Sequence, residues 1–127
     1  MLAFLLTLIG GSAGYQISTT PLKFNDAVSY CQNTYGSSIA TVYTPEQNTI
    51  VSQLCNTGKI GNCWIGLIEN KWIKSNVTVG FENWNTSGPI NNVQQRCTEI
   101  TELGIWNHIE CAEYRLPICD NHPNTGS

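Results

Sequence analysis

Six cysteines spread over 127 residues, with no Cys-x-x-Cys pair among them, constrain this chain more than any other feature. They stand at Cys31, Cys55, Cys63, Cys97, Cys111 and Cys119. An even number of cysteines in a short, weakly charged chain behind an apolar leader reads as a disulfide framework. Zinc is the rival reading, and the spacings do not suit a zinc site. Six cysteines can pair in many ways, and spacing alone does not choose among them.

The framework implies an oxidising compartment, and the rest of the chain agrees. Only 12% of residues are charged, the net charge is −3 and the pI is near 5.2. The six Lys and Arg are scattered, so no basic stripe exists to hold nucleic acid. Met1 to Ile9 is an apolar run ending in Gly10-Gly11-Ser12-Ala13. Such a run is too short to span a bilayer, which takes roughly 20 residues. It fits a signal peptide cleaved after Ala13; the other reading is a leader that is itself a buried strand. Residues 1–13 are thus expected to be a signal peptide, 14–120 one domain and 121–127 a short flexible tail, the product being secreted with no membrane span. Asn76-Val77-Thr78 and Asn85-Thr86-Ser87 are glycosylation sequons, so Asn76 and Asn85 are candidate glycan sites.

Phe24, Ala27, Val28, Cys31 and Tyr35 form a helical stripe, entered at Thr20-Pro21 and stopped by Gly36. Ile39-Ala40-Thr41-Val42 then crosses the core as an extended segment. Thr44-Pro45-Glu46-Gln47 predicts a second helix: Thr44 caps it, Pro45 takes the first position and Gln47 completes a capping box. Ile50, Val51 and Leu54 give that helix its buried face, and it should end near Cys55, before Asn56, Thr57 and Gly58. Strands are predicted near Cys63 to Ile68, Lys71 to Ile73, Arg96 to Thr101, Ile105 to Ile109 and Arg115 to Cys119. A long structured loop fills Ser75 to Gln95. The class is α+β: two helices with antiparallel sheets, stapled by disulfides, with no internal repeat.

Cys63 runs into Trp64-Ile65-Gly66-Leu67, followed by Asn83-Trp84, Cys97, Trp106-Asn107-His108, Cys111 and Cys119. This order and spacing, from about Tyr15 to Cys119, resembles the C-type lectin-like domain, an extracellular recognition fold. The resemblance implies pairing of Cys31 with Cys119 and of Cys97 with Cys111, leaving Cys55 with Cys63 as an extra bridge. By loop length these crosslinks would contribute about 4.5, 3 and 2.5 kcal/mol. It also assigns Trp64, Trp72, Trp84 and Trp106 to the core, with Gly66 allowing close backbone approach.

Sugar-binding members of that family hold calcium with Glu-Pro-Asn or Gln-Pro-Asp in the long loop, a Glu before the third family cysteine, and an Asn-Asp pair after a Trp. This chain has Gly88-Pro89-Ile90, Gln95 followed by Arg96, and Asn107-His108 at those positions. Calcium is a hard cation that wants six to eight oxygens, with affinity rising with ligand charge. A set of neutral oxygens beside an arginine should not hold it, so no calcium or other metal is expected. The resemblance implies a cis bond before Pro89, as in the sugar-binding relatives, and the substituted flanking residues argue against it.

His108 reads as a surface histidine replacing a calcium ligand; the alternatives are a pH-sensitive contact or, with Glu110, a transition-metal ligand. His122 falls in the tail. No nucleophile elbow, metalloprotease motif or phosphate loop is present, and Glu99 and Glu102 read as water-facing, so no enzyme is expected. The resemblance implies a secreted recognition module that binds a glycan or protein ligand without calcium. Its candidate face is Asn91, Asn92, Gln94, Gln95, Asn107 and His108. The alternative is a structural subunit of an extracellular coat, matrix or filament that self-assembles; a calcium-dependent lectin with an atypical site is a further one.

Overall fold

The computed structural model describes residues 11–12, 14–59, 61–75, 80–85 and 96–120. The start of the leader, Asn76, Pro89, the loop residues Asn91, Asn92, Gln94 and Gln95, and the tail with His122 lie outside the described residues.

Among the described residues, two helices pack beside one system of short strands. In chain order these are β1 (Gly11–Ser12), β2 (Tyr15–Ile17), α1 (Phe24–Tyr35), α2 (Pro45–Gly58), β3 (Cys63–Ile68), β4 (Lys71–Trp72), β5 (Cys97–Ile100), β6 (Trp106–Ile109) and β7 (Leu116–Asp120). The strands neighbour one another in the order β1-β2-β7-β3-β5-β6, with β4 paired to β3. The pairs are antiparallel except β3 with β7, which run parallel with Cys63 opposite Leu116. The sheet is therefore mixed, not purely antiparallel. A parallel neighbour requires a long crossover, and here the whole chain from β3 to β7 supplies it.

α1 buries Phe24, Ala27 and Cys31 and stops at Gly36, whose φ of 66° lets its amide reach back to the last turn. Its start differs from expectation. Thr20-Pro21 does not enter the helix, because the next residue, Leu22, exchanges backbone hydrogen bonds with Arg115. The helix begins at Phe24, whose amide donates to the Cys111 carbonyl.

α2 is capped by Thr44 as its sequence dictates, while the Gln47 side chain reaches back one residue further than a capping box requires. The Gln47 amide donates to Thr44 Oγ1 at 3.1 Å, and Gln47 Oε1 accepts from the Tyr43 amide at 2.7 Å. It runs past Cys55 to Gly58, three residues further than loop-forming residues suggest. Packing explains the extension: a Cβ on Gly58 would collide with Leu116, so the missing side chain lets this last turn lie against β7.

Disulfides join Cys31 to Cys119, Cys55 to Cys63 and Cys97 to Cys111, with Cα separations of 5.4, 5.9 and 5.2 Å. The first ties α1 to β7, and the third holds the chain that leaves β6 against β5. The segment Ile39–Val42 is buried, and Gly66 meets it at backbone distance. The Gly66 amide donates to the Ala40 carbonyl at 2.8 Å. Trp64 is fully buried, edge-on to Phe24, with its indole N–H donated to the Leu22 carbonyl at 2.7 Å. At the other end of the sheet β1 pairs with β2, Ser12 opposite Tyr15.

Candidate functional site

The hairpin β5–β6 carries the residues that the sequence singled out. Cys97 faces Ile109, Thr98 faces His108, Glu99 faces Asn107 and Ile100 faces Trp106. Side chains alternate along a strand, so Asn107 and His108 leave β6 on opposite faces. The structure does not bring them together on one surface.

On one face lies an aromatic stack. Trp106 is fully buried and meets Trp72, Phe81 and Trp84 edge-on, at centroid distances of 5.8, 5.7 and 5.4 Å. Its indole N–H donates to Asn48 Oδ1 at 2.8 Å, and Asn48 Nδ2 donates in turn to the Gly104 carbonyl at 3.0 Å. Trp84 is positioned by the backbone: Trp106 donates to the Asn83 carbonyl and Asn85 donates to the Trp106 carbonyl, both at 2.9 Å. This short segment therefore lies alongside β6. His108 then stacks flat on Trp84, centroids 4.0 Å apart and planes 13° from parallel. Both imidazole nitrogens are sequestered from water without a hydrogen-bond partner. Burial pushes the His108 pKa below its ordinary value. His108 is thus a half-buried member of the aromatic stack and not a water-facing surface histidine, because Trp84 covers its ring.

On the other face, Glu99 is 4% exposed and does not face water as its sequence position suggests. Its carboxylate accepts from Arg115 Nε at 2.7 Å and from Asn107 Nδ2 at 2.9 Å. The Asn107 amide is thereby oriented by Glu99, and Glu99 is neutralised by Arg115. Glu102, by contrast, is exposed.

The family's calcium chemistry can be tested against these groups. The position that would carry a carboxylate holds a desolvated imidazole, and the adjacent amide is engaged by a carboxylate already paired with an arginine. Calcium prefers several hard oxygen ligands, so the donors described here do not fit it. Among the described residues no group of three or more His, Cys, Asp or Glu is placed to hold a metal, which leaves His108 and Glu110 without further ligands of those types.

Sequence reasoning overlooked Arg115, Asn48 and the true setting of Glu99. The signal for Glu99 was available: a hairpin closed over 101–105 places it opposite Asn107. Nothing local announces that Arg115 and Asn48 reach the same hairpin.

A family model described as the lectin C-type domain matches residues 20–121. Among curated proteins, E-selectin from Canis lupus familiaris is 30% identical over 131 residues, covering 93% of this chain and 21% of the relative. E-selectin from Equus caballus is 28% identical over 126 residues, covering 91% and 20%. The chain therefore spans about a fifth of the length of these relatives. Among solved structures, human lithostathine superposes with a TM-score of 0.75 at 22% identity, over 87% of this chain and 95% of that one. A calcium-independent type II antifreeze protein gives 0.71 at 20% identity, over 87% and 90%.

Proposed function

The chain belongs to the C-type lectin domain family, and on that premise we propose that it is an extracellular recognition module that engages a glycan or protein ligand without calcium. A C-type lectin-like domain is a module for carbohydrate or protein recognition, so binding and not turnover is its work. Three disulfides support an oxidising, extracellular setting. No helix among the described residues is long and apolar enough to cross a membrane.

The observation that carries calcium independence is the stack of His108 on Trp84. A desolvated imidazole stands where the sugar-binding relatives carry a carboxylate, and the Glu99 carboxylate across the hairpin is already engaged by Arg115 and Asn107. The fold itself does not demand the ion, since an antifreeze protein with the same architecture is calcium-independent. The ligand face in this reading is the long loop, with Asn91, Asn92, Gln94 and Gln95 as its candidate contacts.

The test is a thermal melt of the oxidised protein in millimolar calcium and again in EDTA. Superimposable curves are expected, because an ion bound only to the native state would raise Tm. A clear calcium-dependent rise would overturn this reading and return calcium-dependent sugar binding to first place. With the curves superimposed, glycan and protein ligands are screened in EDTA, and alanine variants of Asn91 and Gln94 should weaken whatever binds.

A further inference from the structure

An open groove of about 530 Å³ lies on the Asn107 face, between the end of α2 and the turn that joins β5 to β6. Its size falls within the range of ligand pockets, about 300–1,000 Å³. Asn56, Asn62 and Asn107 supply amides to its walls, and Leu103 and Ile105 supply apolar surface. Asn85 lines the same groove and is exposed. It is also the acceptor position of Asn85-Thr86-Ser87.

We propose that Asn85 carries an N-linked glycan whose first sugars lie in this groove, so that the cavity is occupied by the protein's own modification and not by a free ligand. Resting on the extracellular reading above, the attachment needs a polyprenyl-pyrophosphate-linked oligosaccharide as co-reactant. Asn85 Nδ2 loses a proton and bonds to the anomeric carbon of an N-acetylglucosamine. The bond from that carbon to the pyrophosphate breaks, and the lipid pyrophosphate leaves.

Three observations make the groove a fitting seat. The backbone N–H of Asn85 donates to the Trp106 carbonyl, which anchors the backbone from which the glycan begins. Leu103 is 81% exposed yet held on a stiff turn, since Thr101 Oγ1 accepts from the amides of Leu103 and Ile105 at 3.2 and 3.1 Å. It offers the acetyl methyl an apolar surface on backbone that is already held. The asparagine amides match hydroxyls as donors and acceptors together. The consequence for recognition is that the glycan covers the Asn107 face of the hairpin and the long loop remains for ligand.

The experiment expresses the full chain behind a secretory leader in a glycosylating eukaryotic host, as Asn76→Gln so that Asn85 is the sequon under test. Intact mass reads occupancy. Endoglycosidase trimming to one sugar, followed by hydrogen exchange, compares this form with the Asn76→Gln, Asn85→Gln double variant. Occupancy is expected, with several-fold slower exchange at amides of 101–105 and 56–62 and a nuclear Overhauser contact between the acetyl methyl and the Leu103 methyls. A Leu103→Ser variant should stay glycosylated and lose that protection. An unmodified Asn85 overturns the proposal, and so does an occupied Asn85 whose groove amides exchange as in the double variant. Neither result bears on the calcium melts, so the two readings fail separately.

Discussion

The imidazole of His108 lies flat against the indole of Trp84, 4.0 Å between centroids, with both of its nitrogens buried and unpartnered. Such a ring is held neutral, because protonation would place a charge where no acceptor waits. Its pKa in the folded chain is lowered by burial from the ordinary 6.5. As pH falls below 6.5 the unfolded chain takes up a proton that the native state refuses. The unfolded state then binds more protons, so stability declines toward acid until the folded pKa is passed. Urea midpoints measured from about pH 7 to about pH 5 should fall for the native sequence. The fall should be shallower for His108→Phe, which keeps the stack and removes the titration. Parallel pH profiles for the two proteins would show that His108 does not titrate in this way.

Gly66 packs directly against the backbone of a buried segment. A Cβ there would stand 2.8 Å from the Ile39 carbonyl oxygen and 3.1 Å from that of Ala40. Both are backbone atoms of a fully buried segment, and the Gly66 amide and carbonyl are engaged with Ala40 and Ile73. Neither side can give way cheaply. Gly66→Ala should lose about 2–3 kcal/mol by urea unfolding, the upper part of the range for overpacking a core. Gly80→Ala is the matched control, since nothing lies within 4 Å of its Cβ, and it should change stability by less than about 0.5 kcal/mol. Equal effects at the two glycines would count against the contact.

Local chemistry made much of this fold legible. Thr44, Pro45 and Gln47 announce the start of α2 within four residues, Gly36 announces the end of α1, and the run from Cys63 to Ile68 is read as a strand from its residues alone. What escaped depends on residues distant in sequence. The last turn of α2 is set by Leu116 behind Gly58, and the start of α1 is set by Arg115 pairing with Leu22. The parallel joining of β3 and β7 has no local signature at all. At the site, the tripeptide Trp106-Asn107-His108 stood out as a unit, while strand alternation divides it between two faces. Trp84 as a cover for His108 could not be foreseen, because its placement comes from backbone pairing across more than twenty intervening residues.

Glu99 and Arg115 form the most consequential polar pair beneath the site. The side chain of Glu99 is 6% exposed, and that of Arg115 is 26% exposed. Their losses should therefore be unequal. Removing the arginine, as in Arg115→Met, leaves a carboxylate buried with only the Asn107 amide for company, and uncompensated buried charges cost about 3–5 kcal/mol. Removing the carboxylate, as in Glu99→Gln, leaves an arginine that already reaches Glu113 at 3.8 Å and water beyond it. That loss should be nearer 1 kcal/mol, typical of a single hydrogen bond. The double variant Glu99→Leu, Arg115→Met removes both charges and should recover most of the first loss, since replacing a buried ion pair by apolar groups is often close to neutral. Denaturant unfolding of the three variants decides the matter. If Arg115→Met proves no worse than Glu99→Gln, the carboxylate is better solvated than its burial indicates. The inferred orientation of Asn107 by Glu99 would then lose its basis.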